Sequence, residues 1–336
     1  VIAFNDVKIP VDNVVGGVGN GLKLALTTLN DGRLSIPAMS ASGSLKVAQM
    51  VNSWGKSRAQ WGRKIGLHEP GAEKVAYINS AAYAMDTFSN YCAQLSDAKT
   101  VDIRVEAAAA KLWGTEEFWN ILDQAVQFRG GRGYETETSL EQRGEFGFPL
   151  ERIMRDIRVN RILEGSTEIM HLFLAREALD PHFKKAGPLL KRGGFAKKFR
   201  AFLKCAWFYP RWYLGLWTGY FASFFKLFSG FDTNLKPHLR WVDRKTKKLA
   251  MALFHQMILN GPKLEFRQKI LARVVDIGVE LSIMGLVASR MQTDRNNKHP
   301  DAEKNYEIGL YWLKMRKKMI NRLFADMATK NDERAM

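Results

Sequence analysis

AVQFRGGRGYE (residues 125–135) and, after a short insertion, RDIRVNRILEGSTEIMHLFLAREALD (155–180) decide how the chain is read. The first stretch runs out of an apolar helical pattern into Gly130, Gly131 and Gly133, where a missing Cβ either marks a turn or lets backbone approach a bulky ligand. The second carries four arginines (Arg152 just upstream, then Arg155, Arg158 and Arg161) into a lone Glu164-Gly165-Ser166, followed by a new amphipathic run. Ser166 or Thr167 is placed to cap that helix, with Leu172, Phe173 and Ala175 along its buried side. Glu164 therefore sits at a helix start, where a carboxylate either answers the helix dipole or faces a bound substrate.

Working outward, the pattern is helical nearly throughout. Residues 20–62 read as helix, bent or divided by Pro37; residues 71–96 and 101–128 are Ala-rich with apolar positions three and four apart. With the helix after Glu164 these make an antiparallel four-helix bundle over 18–183, and the fold class is all-α. Residues 1–17, VIAFNDVKIPVDNVVGG, alternate apolar and polar and then break at Pro10 and Gly16-Gly17, as expected of the last strand of a preceding β domain; the chain reads as the C-terminal portion of a longer protein. Cys92 and Cys205 fit no metal spacing and read as two reduced thiols, and no metal site is expected.

Charge divides the chain. Residues 1–183 hold 20 Lys and Arg against 22 Asp and Glu, whereas 184–336 hold 31 against 12, so the excess of +17 arises wholly in the second half. That half opens on KKAGPLLKRGGFAKK, which reads as a linker, and continues into a stretch in which thirteen residues from Phe199 to Phe228 are aromatic. Trp207, Trp212, Tyr213, Trp217 and Tyr220 beside Lys197, Lys198, Arg200, Lys204 and Arg211 suit a peripheral contact with an anionic membrane through 196–230; the same aromatics also suit packing against the bundle. Residues 212–225 are too short and Pro210 too disruptive for a membrane span. No nucleic-acid-binding module is present, and none is expected to bind. The expected units are 1–17, 18–183, a basic aromatic segment 184–230 and a helical extension 231–336, with helices near 236–259, 263–291 and 301–329.

The order glycine cluster, Arg-rich approach, Glu-Gly-Ser resembles the flavin and catalytic segment of the acyl-CoA dehydrogenase family, and the extension is similar in style to that of its very-long-chain members. The resemblance implies FAD as cofactor and α,β-desaturation of a long-chain acyl-CoA thioester in fatty acid β-oxidation. Glu164 matches the family's base in its Glu-Gly-Thr motif, with Ser166 keeping a hydroxyl. Its backbone N–H would polarise the thioester carbonyl. Some branches place the base one position before an Arg that matches Arg33; here that position is Gly32, so Glu164 has no rival. RAQWG resembles the family's Arg-x-x-Phe-Gly, so Arg58 would meet the FAD pyrophosphate and Trp61 the adenine, reaching from the neighbouring subunit; Gln127, Gly130 and Gly131 would hold the adenosine half, and Ser166 and Glu168 would touch the flavin in the same subunit. Arg33 and Gly165 match positions near the acyl-CoA, although a buried ion pair is as good a reading of Arg33. The remaining arginines read as structural ion-pair partners, and ETETSLEQRGEFGF (135–148) is longer than the commonest relatives carry.

The resemblance further implies a homodimer, an electron-transferring flavoprotein as acceptor, and a place at the bacterial inner membrane on the cytoplasmic side or in the mitochondrial matrix. The portion by itself is not expected to turn over. A membrane-complex assembly protein on a dehydrogenase scaffold and an acyl-CoA oxidase are the alternative readings.

Overall fold

The computed structural model describes residues 2–190 and 194–328, without the side chains of Leu26, Asn30, Leu190, Phe195, Lys197 and Ala328. Lys197 of the expected membrane set, 191–193 of the expected linker and 329–336 of the extension therefore lie outside the described residues.

α1 (Gly21–Ser57) buries Ala41, Ser44, Val47, Ala48 and Val51, a stripe at three- and four-residue spacing. Pro37 does not divide it, because Gly114 of α3 (Arg104–Arg129) offers no side chain and the proline packs into that gap. α2 (Glu69–Ala98) begins with Pro70 in its first turn, where a missing N–H is harmless, and buries Ile78, Ala81, Ala82, Met85 and Phe88. α3 buries Ala107 to Ala110 against α1 and α2, and the small residues let these helices approach closely. Short helices α4 (Gly131–Tyr134), α5 (Glu137–Glu141) and α6 (Leu150–Arg158) lead through a 3-10 turn (Val159–Arg161) to α7 (Thr167–Leu190). α1, α2, α3 and α7 are the four expected bundle helices.

Residues 2–10, expected as the end of a preceding β domain, have no described strand beside them and so no ladder to join, and Ile2, Phe4, Val7 and Ile9 are exposed. The described sheet is a two-residue hairpin, β1 (Ala59–Gln60) and β2 (Arg63–Lys64). Nor does the linker begin at 184, since α7 continues through Pro181 and Pro188 to Leu190, and the aromatic segment is itself a helix, α8 (Phe195–Ala222).

α9 (Lys236–Asn260), α10 (Gln268–Asn296) and α11 (Ala302–Ala328) complete the extension close to the expected bounds. They share one core with the bundle. Trp312 of α11 is fully buried and meets Trp113 of α3 edge-on at 5.7 Å, and Ile277, Leu281, Met284, Val287 and Met291 form the buried stripe of α10.

A buried polar cluster crosses this junction. Arg316 of α11 pairs with Glu117 of α3 and, at 3.3 Å, with Glu280 of α10; Tyr77 donates to Glu117 (2.8 Å) and the Trp113 indole N–H donates to Glu280 (2.9 Å). One cation faces two carboxylates, and the second Glu280 oxygen has no partner among the described residues. Burial pushes the Glu280 carboxyl up to about 7, with Arg316 opposing. The folded chain then holds a proton between pH 4.5 and 7 that the unfolded chain releases, so this group's contribution to stability falls as pH rises through that window. Glu280→Gln is expected to remove that downward slope in denaturant titrations at pH 4.5, 6 and 7; an unchanged slope contradicts the assignment.

Candidate functional site

Between the 3-10 turn and α7 the backbone takes two consecutive left-handed residues, Glu164 (φ 58°) and Gly165 (φ 106°). For Glu164 this costs about 1–2 kcal/mol, so the surroundings must hold it. At Gly165 only glycine fits, since an added Cβ would lie 2.3 Å from the Met170 methyl.

Three side chains fix the turn. Arg33 Nε of α1 donates to the Glu164 carbonyl at 3.3 Å, and Lys111 Nζ of α3 donates to the Gly165 carbonyl at 2.5 Å. Glu116 of α3 takes a two-pronged contact from Arg161 (2.8 and 2.6 Å) and a hydrogen bond from the Thr167 hydroxyl (2.5 Å). Lys111 is fully buried, and desolvation brings its ammonium down to about 8, opposed by Glu116 and more weakly by Glu164 and Glu168.

The Glu164 side chain lies across α1 at Gly32, where an added Cβ would fall 2.8 Å from its carboxyl carbon. Its Oε2 is buried with no hydrogen-bond partner among the described residues, and its backbone N–H likewise meets no acceptor there. A desolvated carboxylate with a free oxygen, next to a free N–H, can accept a proton beside a carbonyl that the N–H polarises. Ser166 is half-buried and Glu168 exposed; the Glu168 carboxyl is held below the usual range by its own backbone N–H and by the Ser166 hydroxyl.

A second set gathers at the far end of α3. Arg58 caps the C-terminus of α1, and Trp61 projects from the hairpin tip, 90% exposed, edge-on to His68 at 6.0 Å. Gln127, Gly130 and Gly131 are exposed on the same end, Gly130 with φ 66° and open space where a Cβ would stand. Between them lies a cleft of about 400 Å³ lined by Arg58, Arg129, Arg132, Trp54 and Phe146. Arg129 is buried; its Nη2 donates to the Phe146 carbonyl at 3.0 Å, while Nε and Nη1 have no partner among the described residues. An orphaned guanidinium beside two further arginines is the donor set of a phosphate site, and the exposed indole adds a stacking surface, so these residues fit a large anionic, aromatic cofactor.

The sequence reading missed Lys111, Glu116 and Arg129. Lys111 had a signal: it follows four alanines on a face that continues through Leu112 and Thr115, a lone cation on a buried stripe. Arg129 and Glu116 had none, since each depends on a loop folding back from elsewhere. For Arg129 that loop is the long insertion, closed by Arg132 with Glu145 (2.6 Å) and Arg143 with Glu135 (2.7 Å), which brings Phe146 to it; for Glu116 it is the turn carrying Arg161 and Thr167. Of the approach arginines, Arg152, Arg155 and Arg161 pair with Asp156, Glu151 and Glu116, as expected, and Arg158 lies 5.9 Å from the Trp119 ring. Arg33 joins the Glu164 backbone and lies 5.7 Å from the Phe173 ring.

The two sets do not meet within one chain. Lys111 and Arg129 stand eighteen residues apart on α3, about 27 Å along the helix axis.

Residues 19–179 match the family model described as acyl-CoA dehydrogenase, C-terminal domain. A probable acyl-CoA dehydrogenase FadE10 of Mycobacterium tuberculosis is 40% identical over 311 residues, 92% of this chain and 47% of that protein. The very long-chain specific acyl-CoA dehydrogenase, mitochondrial, of Homo sapiens is 27% identical over 316 residues, 90% of this chain and 44% of that protein. The chain thus spans about half the length of the curated relatives it matches. Among solved structures, an acyl-CoA dehydrogenase complexed with FAD from Bacillus anthracis superposes with a TM-score of 0.71 at 21% identity, over 93% of this chain and 51% of that one, which shows the fold of bundle and extension alike.

Proposed function

Because this chain belongs to the acyl-CoA dehydrogenase family, carrying its C-terminal domain and an extension, we propose that it supplies the base and part of the cofactor site of an FAD-dependent enzyme that desaturates long-chain acyl-CoA thioesters. The observation that carries this reading is the Glu164 carboxylate, half-buried, with one oxygen unpartnered, lying over Gly32 of α1, where a side chain would collide with it. Glu164 takes the α-proton while its N–H draws charge onto the thioester oxygen, which acidifies that proton. Arg33 and Lys111 hold the strained turn so that both groups stay aimed at one place. The flavin of bound FAD supplies the two-electron acceptor that side chains cannot provide. Ser166 and Glu168 stand beside Glu164 for contact with it, and Gly165, which matches a position near the acyl-CoA, allows the turn that carries Glu164.

Arg58, Trp61, Gln127, Gly130 and Gly131, with Arg129 added, would hold the pyrophosphate and adenosine of a second subunit's FAD. The roughly 27 Å between this set and Lys111 supports that assignment and with it a homodimer, since one chain cannot bring both sets to the same reacting centre. Long-chain preference is supported by the very-long-chain relative, and the acceptor would be an electron-transferring flavoprotein. Analytical ultracentrifugation of the flavin-loaded protein checks the dimer.

Peripheral membrane contact is supported by the way α8 divides its aromatics. Tyr209, Trp212 and Tyr213 pack on Phe254 and His255 of α9, while Trp207, Leu214, Trp217 and Phe221 face outward beside exposed Arg200, Lys204 and Arg211. No helix among the described residues is long and apolar enough to cross a membrane. A place at the bacterial inner membrane or in the mitochondrial matrix follows from this reading, and loss of liposome co-sedimentation in a Trp207, Trp217 and Phe221 triple Ser variant checks it.

The reaction is tested by mixing the enzyme that carries this chain with palmitoyl-CoA under anaerobic conditions and following flavin absorbance. Bleaching is expected; bound flavin that no acyl-CoA reduces overturns the reading. Gly32→Ala gives a sharper check. Alanine in place of a helical glycine stabilises by up to about 1 kcal/mol, yet its Cβ displaces the Glu164 carboxyl, so reduction is expected to slow by about 100-fold while the melting temperature holds or rises.

A further inference from the structure

Part of the excess positive charge of the second half gathers where α9 and α11 both pack against α10. α9 turns His238, Trp241, Lys245 and Lys248 towards α11, one helical face at three- and four-residue spacing. α11 answers at the same spacing with Lys314, Lys317, Asn321 and Phe324. The contacts cross the seam in register. Lys317 Nζ lies 5.4 Å from the centre of the Trp241 ring, and Lys245 Nζ lies 5.2 Å from both the Trp241 and Phe324 rings. Lys245 Nζ also donates to Asn321 Oδ1 at 2.7 Å, and Lys248 Nζ lies 4.9 Å from Phe324.

A lysine on a helix surface ordinarily extends its ammonium into water. Lys245 and Lys317 are instead half-buried and stand over one indole although they carry the same charge. Asp243, the one acidic residue of α9, is taken by Lys226, Lys247 and the Ser223 hydroxyl, and no carboxylate among the described residues pairs with Lys245, Lys248, Lys314, Lys317 or the adjoining Arg244. Burial brings the Lys317 ammonium down to about 8, with Arg244 adding to it, and lowers Lys245, with Lys248 and Arg244 adding. Burial, then Lys317 and Lys314, brings His238 down to about 4, and its Nδ1 is buried with no partner among the described residues. The two rings offset part of the crowding by cation–π attraction, yet Lys248 and Lys317 keep their N–H donors without an acceptor among the described residues. The Lys245–Asn321 bond spans the seam, so a flat partner surface meets the exposed Lys248 and Lys314 at its rim, whereas a compact anion reaches the inner ammonium groups as well.

We propose that the α9–α11 seam binds a compact polyphosphate anion, the diphosphate or triphosphate part of a small molecule, held by Lys245, Lys248 and Lys317 with Lys314 at the rim. Several charges on the ligand match several cations around it, and lysine ammonium groups serve phosphate oxygens as point-charge donors. The seam shares no residue with the Arg58 and Arg129 set or with the turn at Glu164, so it stands or falls apart from the proposed dehydrogenation.

The test titrates inorganic pyrophosphate into the flavin-loaded full-length protein by calorimetry, in metal-free buffer at an ionic strength held constant with sodium chloride. One saturable site is expected, with orthophosphate at least fivefold weaker. Lys245→Gln with Lys317→Gln is expected to weaken pyrophosphate binding at least tenfold. Lys248→Gln with Lys314→Gln, at two exposed positions, is expected to weaken it at least threefold and serves should the first pair fail to fold. Thermal melting gives a second readout. Without pyrophosphate, Lys317→Gln should melt at or above the unaltered chain because it relieves like-charge crowding, and at saturating pyrophosphate the order should reverse. Absence of saturable binding, binding that persists in the seam variants that fold, stabilisation that sodium chloride reproduces, or seam-dependent capture only by phosphatidylglycerol vesicles would each overturn the proposal.

Discussion

Arg316→Ala is expected to destabilise the chain by about 3–5 kcal/mol, the range for removing one partner of a buried ion pair, and to lower its melting temperature by about 10 °C. The reason lies in what the arginine leaves behind. Glu117 and Glu280 are 5% and 2% exposed at their side chains, they approach the same guanidinium from α3 and α10, and no other cation is shown pairing with either. Without Arg316 their charges must be neutralised by protonation or the helices must part to admit water. At neutral pH Glu280 takes the first route, since burial already pushes its carboxyl up to about 7 with Arg316 opposing, while the loss of the ion partner of Glu117 loosens the junction at which Trp113 and Trp312 meet. Limited proteolysis of Arg316→Ala should therefore release α10 and α11 before the bundle is cut. A combined Arg316→Met, Glu117→Gln, Glu280→Gln chain should recover much of the loss, since it removes all three charges together. A melting temperature for Arg316→Ala within about 2 °C of the unaltered chain would show that the cluster does not join the extension to the bundle.

The same junction marks what a sequence reader can and cannot see. Three- and four-residue spacing placed α9 and α11 within a few residues, because each buries one face and turns the other to water, and the Ala-rich apolar runs placed α2 and α3, whose middles are buried on every side. Pro37 looked like a break because proline costs a helix a hydrogen bond, but Gly114 lies 77 residues further along the chain and only packing brings it there. The Gly and Lys interruption KKAGPLLKRGGFAKK looked like a linker or domain boundary from its composition, while α7 continues to Leu190 and the two halves share a core. The aromatic stripe offered two readings and the structure divides them: one side of α8 packs on Phe254, the other is open. At the site, Glu164 and Gly165 could be singled out because the glycine cluster, the Arg-rich approach and Glu-Gly-Ser follow one another in an order that resembles a family motif. Glu116, which helps hold the turn after Glu164, gave no signal because its partners lie 45 and 51 residues away, and Lys111 signalled only its burial as a lone cation on an apolar stripe, not the carbonyl it bonds 54 residues on.

Glu164→Gln is expected to slow acyl-CoA-dependent flavin reduction by about 10³ to 10⁴-fold at unchanged flavin content, the upper part of what a positioned base contributes. Glutamine keeps the size of the side chain, so the contact with Gly32 and the turn held by Arg33 and Lys111 persist, and the loss reports basicity alone. Glu164→Asp keeps the base and withdraws it by one methylene, and a misplacement of about 1 Å costs about 100-fold, so Asp should lie between Gln and the unaltered enzyme. The reverse order would mean that Glu164 only packs. Gly32 adds a third arm, because its missing Cβ points straight at the Glu164 carboxyl from a different element of the fold. A carboxylate can reach that space from α1 as well as from the turn. Gly32→Glu combined with Glu164→Gly is therefore expected to recover at least tenfold over Glu164→Gln, and glycine at 164 also relieves the left-handed strain that the native residue carries. Recovery in the double variant would show that the reaction requires a carboxylate at that point in space, with the turn as one of two ways to deliver it.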